Sequence, residues 1–106
     1  MSRTRKTIFL QEEAQTELQD AVNFYREQDG HTLAHRFKEQ IADGLKAILE
    51  NPRLYPQTSE ITGVQKCKLR HFPFSILYVN LKKEIWVVAI AHGSRRPGFW
   101  TDRLHS

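Results

Sequence analysis

The sequence predicts a small α+β domain in which an antiparallel helical hairpin covers one face of an antiparallel sheet, in the order β-α-α-β-β-β. Two stretches in the first half have apolar residues at helical spacing, and three stretches in the second half have the length and composition of strands. A chain of 106 residues is the usual size of one domain. We expect residues 1–106 to form that single domain, because no linker or repeat interrupts the pattern.

The first strand and first helix occupy the N-terminal quarter of the chain. Residues 6–10 form a short apolar run that favours a strand. Between residues 12 and 28 the apolar side chains return every three or four positions, which is typical of a helix with one buried stripe. The pair Asp29-Gly30 predicts its end, because glycine readily adopts the left-handed conformation just past a helix.

A second helix is predicted from Thr32, a good N-cap residue, to the pair Asn51-Pro52. The residue before a proline avoids the helical region, so the helix ends there. The connection at Gly30 and His31 is short, which predicts that the two helices run antiparallel. Their apolar stripes then need a sheet to cover.

Three strands follow a predicted loop at residues 53–63. The strands are residues 64–70, Phe74–Asn80 and Glu84–His92, and the short turns between them predict a three-stranded antiparallel meander. Both faces of the last strand are mostly apolar, which favours a central position in the sheet. A short C-terminal turn or helix is predicted to begin at Pro97.

Charge is distributed unevenly along the chain. Residues 1–60 hold eight Lys or Arg against ten Asp or Glu, whereas residues 61–106 hold eight against two, so the halves carry −2 and +6. This asymmetry predicts an anionic partner, nucleic acid or acidic protein, for the second half. No apolar run is long enough for a membrane span or a signal peptide, and Cys67 is the one cysteine. We therefore expect a cytoplasmic protein that needs no metal or cofactor.

Alternation in residues 64–70 places Lys66, Lys68 and Arg70 on one side of a strand. If Cys67 and Leu69 face the helices, these three cations line the uncovered side of the sheet. An equally good interpretation is that the lysines protect an edge strand against aggregation.

A second cluster, His92 to Pro97, follows the last strand. Arg95 and Arg96 could hold a phosphate or carboxylate through paired hydrogen bonds, and His92 could titrate near neutral pH. The alternative is a structural histidine followed by two solvated arginines. His31 and His35 share the spacing of a metal pair, but no third ligand accompanies them.

Two segments resemble the RelE/ParE superfamily of toxins from type II toxin–antitoxin systems, and its ParE-like branch in particular. Residues 69–78 (LRHFPFSILY) are similar to a strand-turn-strand segment of that branch. Residues 89–100 (AIAHGSRRPGFW) are similar to its C-terminal segment, with an H-x-x-R-x-P-x-x-W pattern. The resemblance implies a toxin that a cognate antitoxin neutralises by wrapping a partly disordered segment around it, and an acidic segment would suit the +6 half.

The resemblance implies two possible targets, because RelE-like members cut messenger RNA on the ribosome and ParE-like members act on DNA gyrase. Lys66, Lys68 and Arg95 match basic positions of the nucleases. Ser75, however, stands where RelE has a catalytic arginine, and Thr101 stands roughly where RelE has a tyrosine. One cation for the developing phosphorane charge is therefore missing.

Gyrase is accordingly the preferred target, and we expect the chain to act as a binding protein and not as an enzyme. The alternatives are a metal-independent, ribosome-dependent endoribonuclease, in which His92 joins those three cations as a catalytic group, and a non-toxic member that only binds antitoxin. The residues predicted to contact the target or the antitoxin are Lys66, Lys68, Arg70, His92, Arg95, Arg96 and Trp100.

Overall fold

The computed structural model describes residues 6–58 and 63–105. Residues 59–62 of the predicted loop and the first five residues lie outside this description. Within the described ranges no helix combines the length and the apolar character that a membrane crossing requires. The elements in chain order are β1 (Thr7–Leu10), α1 (Glu12–Glu50), β2 (Val64–Lys68), β3 (Phe74–Asn80), β4 (Glu84–His92) and a C-terminal 3-10 helix (Thr101–His105).

The helical region is a single element with a sharp kink, so the prediction of two separate helices forming a hairpin is wrong. The backbone leaves helical geometry at Asp29 and at Gly30, whose φ of 68° is the left-handed conformation that glycine tolerates. The kink brings the two parts of α1 together, and the ring centroids of Tyr25 and Phe37 consequently lie 5.1 Å apart. The same two residues would be about 18 Å apart along a straight helix.

The sheet is mixed, so the predicted antiparallel sheet is also wrong. Its strand order is β1-β4-β3-β2, and the three later strands pair antiparallel in sequence, as their short turns require. The first strand instead pairs parallel with β4, with Phe9 opposite Trp86. The chain leaves β1 into α1, which packs on one face of the sheet, and then reaches β2 at the opposite edge. β4 is therefore central and β2 forms an edge.

A β-bulge at Val88 changes which side chains of β4 share a face. Tyr78 lies opposite Val87, but Leu77 lies opposite Ala89, so Val88 is the extra residue. The regular alternation expected for this strand ends there. Val88 and Ala89 both pack on the side away from α1, whereas Ile90 packs toward it.

We call the side of the sheet under α1 the helix face, and it holds the larger core. Tyr25 and Phe37 from the two parts of α1 meet Phe72 and Phe74 in a cluster of ring contacts 5.0–6.2 Å apart. Gly44 allows α1 to come close to β3, because a Cβ atom there would lie 2.8 Å from Cδ1 of Ile76. Residues from every described strand contribute to this core.

The opposite side of the sheet, which we call the far face, is covered only in part. Trp100 is 2% exposed and packs with Val64, Leu77, Val88 and Ala89 in a small second core. The 3-10 helix that follows begins with a bond from the Thr101 N–H to the carbonyl of Gly98, 3.0 Å. The C-terminal segment thus covers the middle of the far face and leaves its two ends open.

Candidate contact surface

One open end of the far face is cationic, and strand register explains why. Lys66 lies opposite Leu77, and Lys68 lies opposite Ser75, which in turn lies opposite Ala91 on β4. Both lysines are exposed, while Cys67 between them is buried under α1. The predicted alternation is therefore confirmed for Lys66, Cys67 and Lys68, and β2 lies at the edge of the sheet. The predicted end of this strand at Arg70 is wrong, because β2 ends at Lys68.

The segment after β4 turns back over the same end. The Gly93 N–H donates to the carbonyl of Pro73 at 2.7 Å, which ties this segment to the β2–β3 turn. The Arg95 N–H then donates to the carbonyl of His92 at 3.0 Å and closes a tight turn. These two backbone hydrogen bonds hold the turn at the end of β4. The turn carries two exposed arginine side chains, those of Arg95 and Arg96.

These residues enclose a pocket of about 160 Å³. Its floor is formed by small or buried side chains, including Ser75, and its walls carry the cations. Lys68 lies opposite Ser75 in the sheet, but it lines the neighbouring groove on the helix side and not this pocket. The residues that line the pocket and carry chemistry are Lys66, Ser75, His92, Arg95 and Arg96. We call Lys66, Lys68, His92, Arg95 and Arg96 together the cationic corner.

The ring of His92 is fixed by contacts on two sides. It packs edge-on against Phe74, with ring centroids 4.9 Å apart. Its Nδ1 accepts the Ser94 backbone N–H at 3.0 Å, and the Ser94 hydroxyl lies 2.8 Å from the same nitrogen. A backbone N–H can only donate, so in the neutral side chain the proton is on Nε2. His92 in this arrangement can donate a hydrogen bond into the pocket but has no free lone pair on the ring.

A network that the sequence analysis missed supports the C-terminal segment. Both terminal nitrogens of Arg103 donate to the carboxylate of Glu17, at 3.0 and 2.8 Å, and Nη1 also donates to the carbonyl of Val88 at 2.9 Å. The Ile90 N–H donates to the same carboxylate at 3.1 Å. Arg103 and Glu17 therefore provide hydrogen-bond partners for the backbone of β4 at Val88 and Ile90, beyond its pairing with β1.

The same network reaches the cationic corner. Nη1 of Arg95 lies 4.0 Å from the Glu17 carboxylate, and the Arg95 guanidinium lies 3.9 Å from the centre of the Phe99 ring. The hydrogen bonds that Arg103 donates to the Glu17 carboxylate raise the pKa of Arg103, so this guanidinium stays charged. A signal for Glu17 does exist in the sequence, because it lies three residues after Ala14 and four before Ala21, on the buried stripe of α1. An acid on an apolar stripe predicts a buried cationic partner.

Two residues of the predicted contact set differ from the cations of the pocket. Trp100 lines the same pocket but is only 2% exposed, because it packs in the second core. Arg70 is exposed and lies outside the pocket, where it lines, with Lys68, a groove of about 600 Å³ on the helix side. In residues 6–58 and 63–105 no three His, Cys, Asp or Glu side chains lie close enough together to hold a metal ion.

Comparisons with known proteins agree on one group of toxins. The family described as "ParE toxin of type II toxin-antitoxin system, parDE" matches residues 8–97. A solved structure from the chromosomal ParDE system of P. aeruginosa has a TM-score of 0.74 at 21% identity, covering 85% of this chain and 98% of that one. The isolated E. coli RelE toxin has a TM-score of 0.63 at 18% identity, covering 94% and 96%. At these identities the two structures establish a shared fold. A search of curated proteins gives no significant match.

Proposed function

The chain belongs to the family of ParE toxins of type II toxin–antitoxin systems, and we propose that it inhibits growth by binding DNA gyrase through its cationic corner. On this proposal the toxin contributes contacts and no chemistry of its own. A cognate antitoxin with an acidic, partly disordered segment neutralises it.

The observation that carries this proposal is the state of His92. Metal-independent cleavage of RNA needs a group that removes a proton from the attacking hydroxyl. His92 is the one imidazole lining the pocket, and its Nδ1 is occupied by the Ser94 N–H while Nε2 carries the proton. A fixed donor surrounded by cations is suited to binding carboxylates or phosphates and is poorly suited to general-base catalysis.

Two departures from the nuclease pattern support the same choice. Ser75, at the position where the resemblance implies a RelE arginine, is buried on the pocket floor and brings no charge. Thr101, near the position of the RelE tyrosine, donates its hydroxyl to the carbonyl of Gly98 at 2.9 Å and so stabilises the start of the 3-10 helix. Neither residue offers the missing group.

The alternative is the ribosome-dependent endoribonuclease, and the pocket itself favours it. Lys66, His92 and Arg95 converge there, and such a group could stabilise the charge of a phosphorane. In this case His92 would act as the acid that protonates the leaving group.

Induction of the chain in bacteria distinguishes these functions. Action on gyrase predicts filamentous cells, broken DNA and induction of the SOS response. Rapid arrest of translation with cuts in translated messages would establish the nuclease instead. Normal growth with full expression would favour a non-toxic member and would contradict both.

Variants of the cationic corner sharpen this experiment. We expect Arg95→Ala and Arg96→Ala to abolish toxicity while the protein remains folded. A matched loss of charge, the double variant Arg36→Ala/Lys38→Ala, removes two exposed cations from α1 on the other side of the sheet and is expected to leave toxicity intact. Full toxicity of both corner variants would exclude this corner as the contact surface.

A further inference from the structure

The other open end of the far face is apolar. Strand register aligns Phe9 with Trp86 and Trp86 with Val79, which forms a row of apolar side chains across three strands. Val64, the next residue in register, is buried in the second core with Trp100. The Trp100 segment separates this row from the cationic corner. The far face therefore presents two surfaces of different chemistry, one on each side of the C-terminal segment.

Apolar side chains at this end of the far face remain partly exposed to solvent. The rings of Phe9 and Trp86 are stacked 4.8 Å apart with an interplanar angle of 23°. Phe9 is nevertheless 37% exposed, and Leu81 in the adjacent turn is 45% exposed. The indole N–H of Trp86 donates to Glu84 at 2.8 Å, so the side chain presents a purely apolar surface. We call Phe9, Val79, Leu81, Trp86 and Leu104 the apolar patch.

A pocket of about 260 Å³ lies within the patch. Four of its lining residues, Val79, Leu81, Trp86 and Leu104, belong to the patch. The recess is therefore suited to an apolar side chain of a partner.

Cations surround the patch. Lys82 and Lys83 are exposed beside Leu81, and Lys6 lies near by, bonded to Asn80 at 2.6 Å. The carboxylate of Glu84 is held by Trp86. Two copies of the chain that met through this patch would bring these lysines together, which is unfavourable. Charge complementarity instead selects a partner segment with apolar anchors among acidic residues.

We propose that the apolar patch is the main anchor for the antitoxin and is separate from the surface that acts on the target. This inference rests on the proposed function. Lasting complexes bury more apolar surface than transient ones, and neutralisation requires a lasting complex. The patch offers that surface, whereas the cationic corner offers charges suited to recognition of the target.

The test measures the affinity of purified antitoxin, the protein encoded with the toxin, by calorimetry. We expect Leu81→Ser and Phe9→Ser to weaken binding at least tenfold, a typical effect of removing an apolar anchor. The matched control is Leu54→Ser, which makes the same change at a leucine that is 65% exposed in another turn. It is expected to bind like the wild type. Thermal melts verify that each variant is folded.

Two further variants test the chemistry of the partner. Leu81→Glu and Leu81→Lys remove the same apolar side chain but change the charge in opposite directions. Leu81→Glu should weaken binding several-fold more than Leu81→Lys, because the partner segment is acidic. In cells, patch variants should remain toxic and escape neutralisation.

The outcomes separate this inference from the proposed function. If Leu81→Ser and Phe9→Ser bind antitoxin as tightly as the Leu54→Ser control, the antitoxin uses another surface and the inference is wrong, while the proposed function stands. If sedimentation shows a wild-type dimer that Leu81→Ser dissociates, a second copy occupies the patch and the inference is also wrong. If the wild type binds no antitoxin, the proposed function fails as well.

Discussion

The helix face and the far face of the same sheet are stabilised in different ways. On the helix face, aromatic rings from both parts of α1 fill a large core with residues from every strand. On the far face, Trp100 covers a few small side chains, and the segment that carries it is held by the Arg103–Glu17 ion pair. One face is closed by apolar burial and the other by one aromatic side chain and a set of charged hydrogen bonds.

This difference suggests a division of roles, in which the helix face stabilises the fold and the far face contacts partners. Burial of apolar surface supplies most of the free energy of folding, and the helix face contains most of that surface. The far face can therefore display exposed cations and a partly exposed aromatic ring. The predictions below test this division, from the largest expected effect to the smallest.

Phe37→Ala should be the most destabilising of these changes. Phe37 is fully buried and contacts three other rings, so its removal leaves a cavity and should lower the free energy of unfolding by about 3–5 kcal/mol. Urea denaturation measures this value. Phe24→Ala, at a ring that is 53% exposed on the same helix, should cost less than about 1 kcal/mol. Similar losses for both variants would mean that the helix face is not the main core.

Glu17→Gln should destabilise the far face. The change replaces the carboxylate that accepts two guanidinium hydrogen bonds of Arg103 with a neutral amide, at an ion pair whose side chains are each 15% exposed. We expect a loss of about 2–3 kcal/mol in the same assay, because breaking a largely buried ion pair is costly. The control Glu39→Gln alters an exposed acid on α1 that pairs with His35, and it should change stability by less than about 0.5 kcal/mol. A Glu17→Gln protein as stable as this control would show that the network does not hold the C-terminal segment.

The free energy of unfolding should decrease at alkaline pH because of Tyr78, which lies in the core of the helix face. Burial raises the pKa of Tyr78, so the folded protein keeps a neutral phenol where the unfolded chain, with a pKa of 10.0, loses its proton. The neutral phenol of Tyr78 therefore contributes its full stability below pH 10. The free energy of unfolding then falls by about 1 kcal/mol between pH 10 and pH 11. Urea midpoints between pH 8 and 11 measure it.

The control for this prediction is Tyr78→Phe, which should show a smaller decrease with pH. It also loses the bond from the Tyr78 hydroxyl to the carbonyl of Pro52, 2.6 Å, which should cost about 1 kcal/mol at neutral pH. An unchanged pH profile in the variant would mean that Tyr78 is not the group responsible.

The sequence predicted local structure well and long-range pairing poorly. Length and composition identified β3 and β4 with correct ends, and Asp29-Gly30 marked the site of the kink, because these signals are local. The parallel pairing of β1 with β4 has no local signal, since residues 6–10 fit either orientation. The bulge at Val88 likewise depends on the register of the opposite strand, so the faces of β4 after that residue were not predictable.

The candidate site was predictable in part for the same reason. The alternation of β2 placed Lys66 and Lys68, and the sheet order then brought them to the end where Arg95 and Arg96 lie. The burial of Trp100 was not predictable, because its position in a C-terminal turn says nothing about what it covers. Glu17 and Arg103 are 86 positions apart, and only the folded chain shows that they pair.

The smallest effect on stability is expected for the double variant Arg95→Ala/Arg96→Ala. Both side chains are exposed, so the cation–π contact of Arg95 with Phe99 and its 4.0 Å ion pair with Glu17 are each worth less than about 1 kcal/mol. Function should respond in the opposite way, because we propose these arginines as contacts of the target. A variant that is stable and inactive would separate the two faces most clearly.

The most direct test of this division uses purified DNA gyrase with supercoiled DNA and ATP, and measures the linear DNA released from trapped cleavage complexes. We predict that the wild-type chain and Arg36→Ala/Lys38→Ala trap gyrase equally, whereas Arg95→Ala/Arg96→Ala needs at least ten times more protein. Equal potency of all three chains, or no trapping by the wild type, would contradict the account.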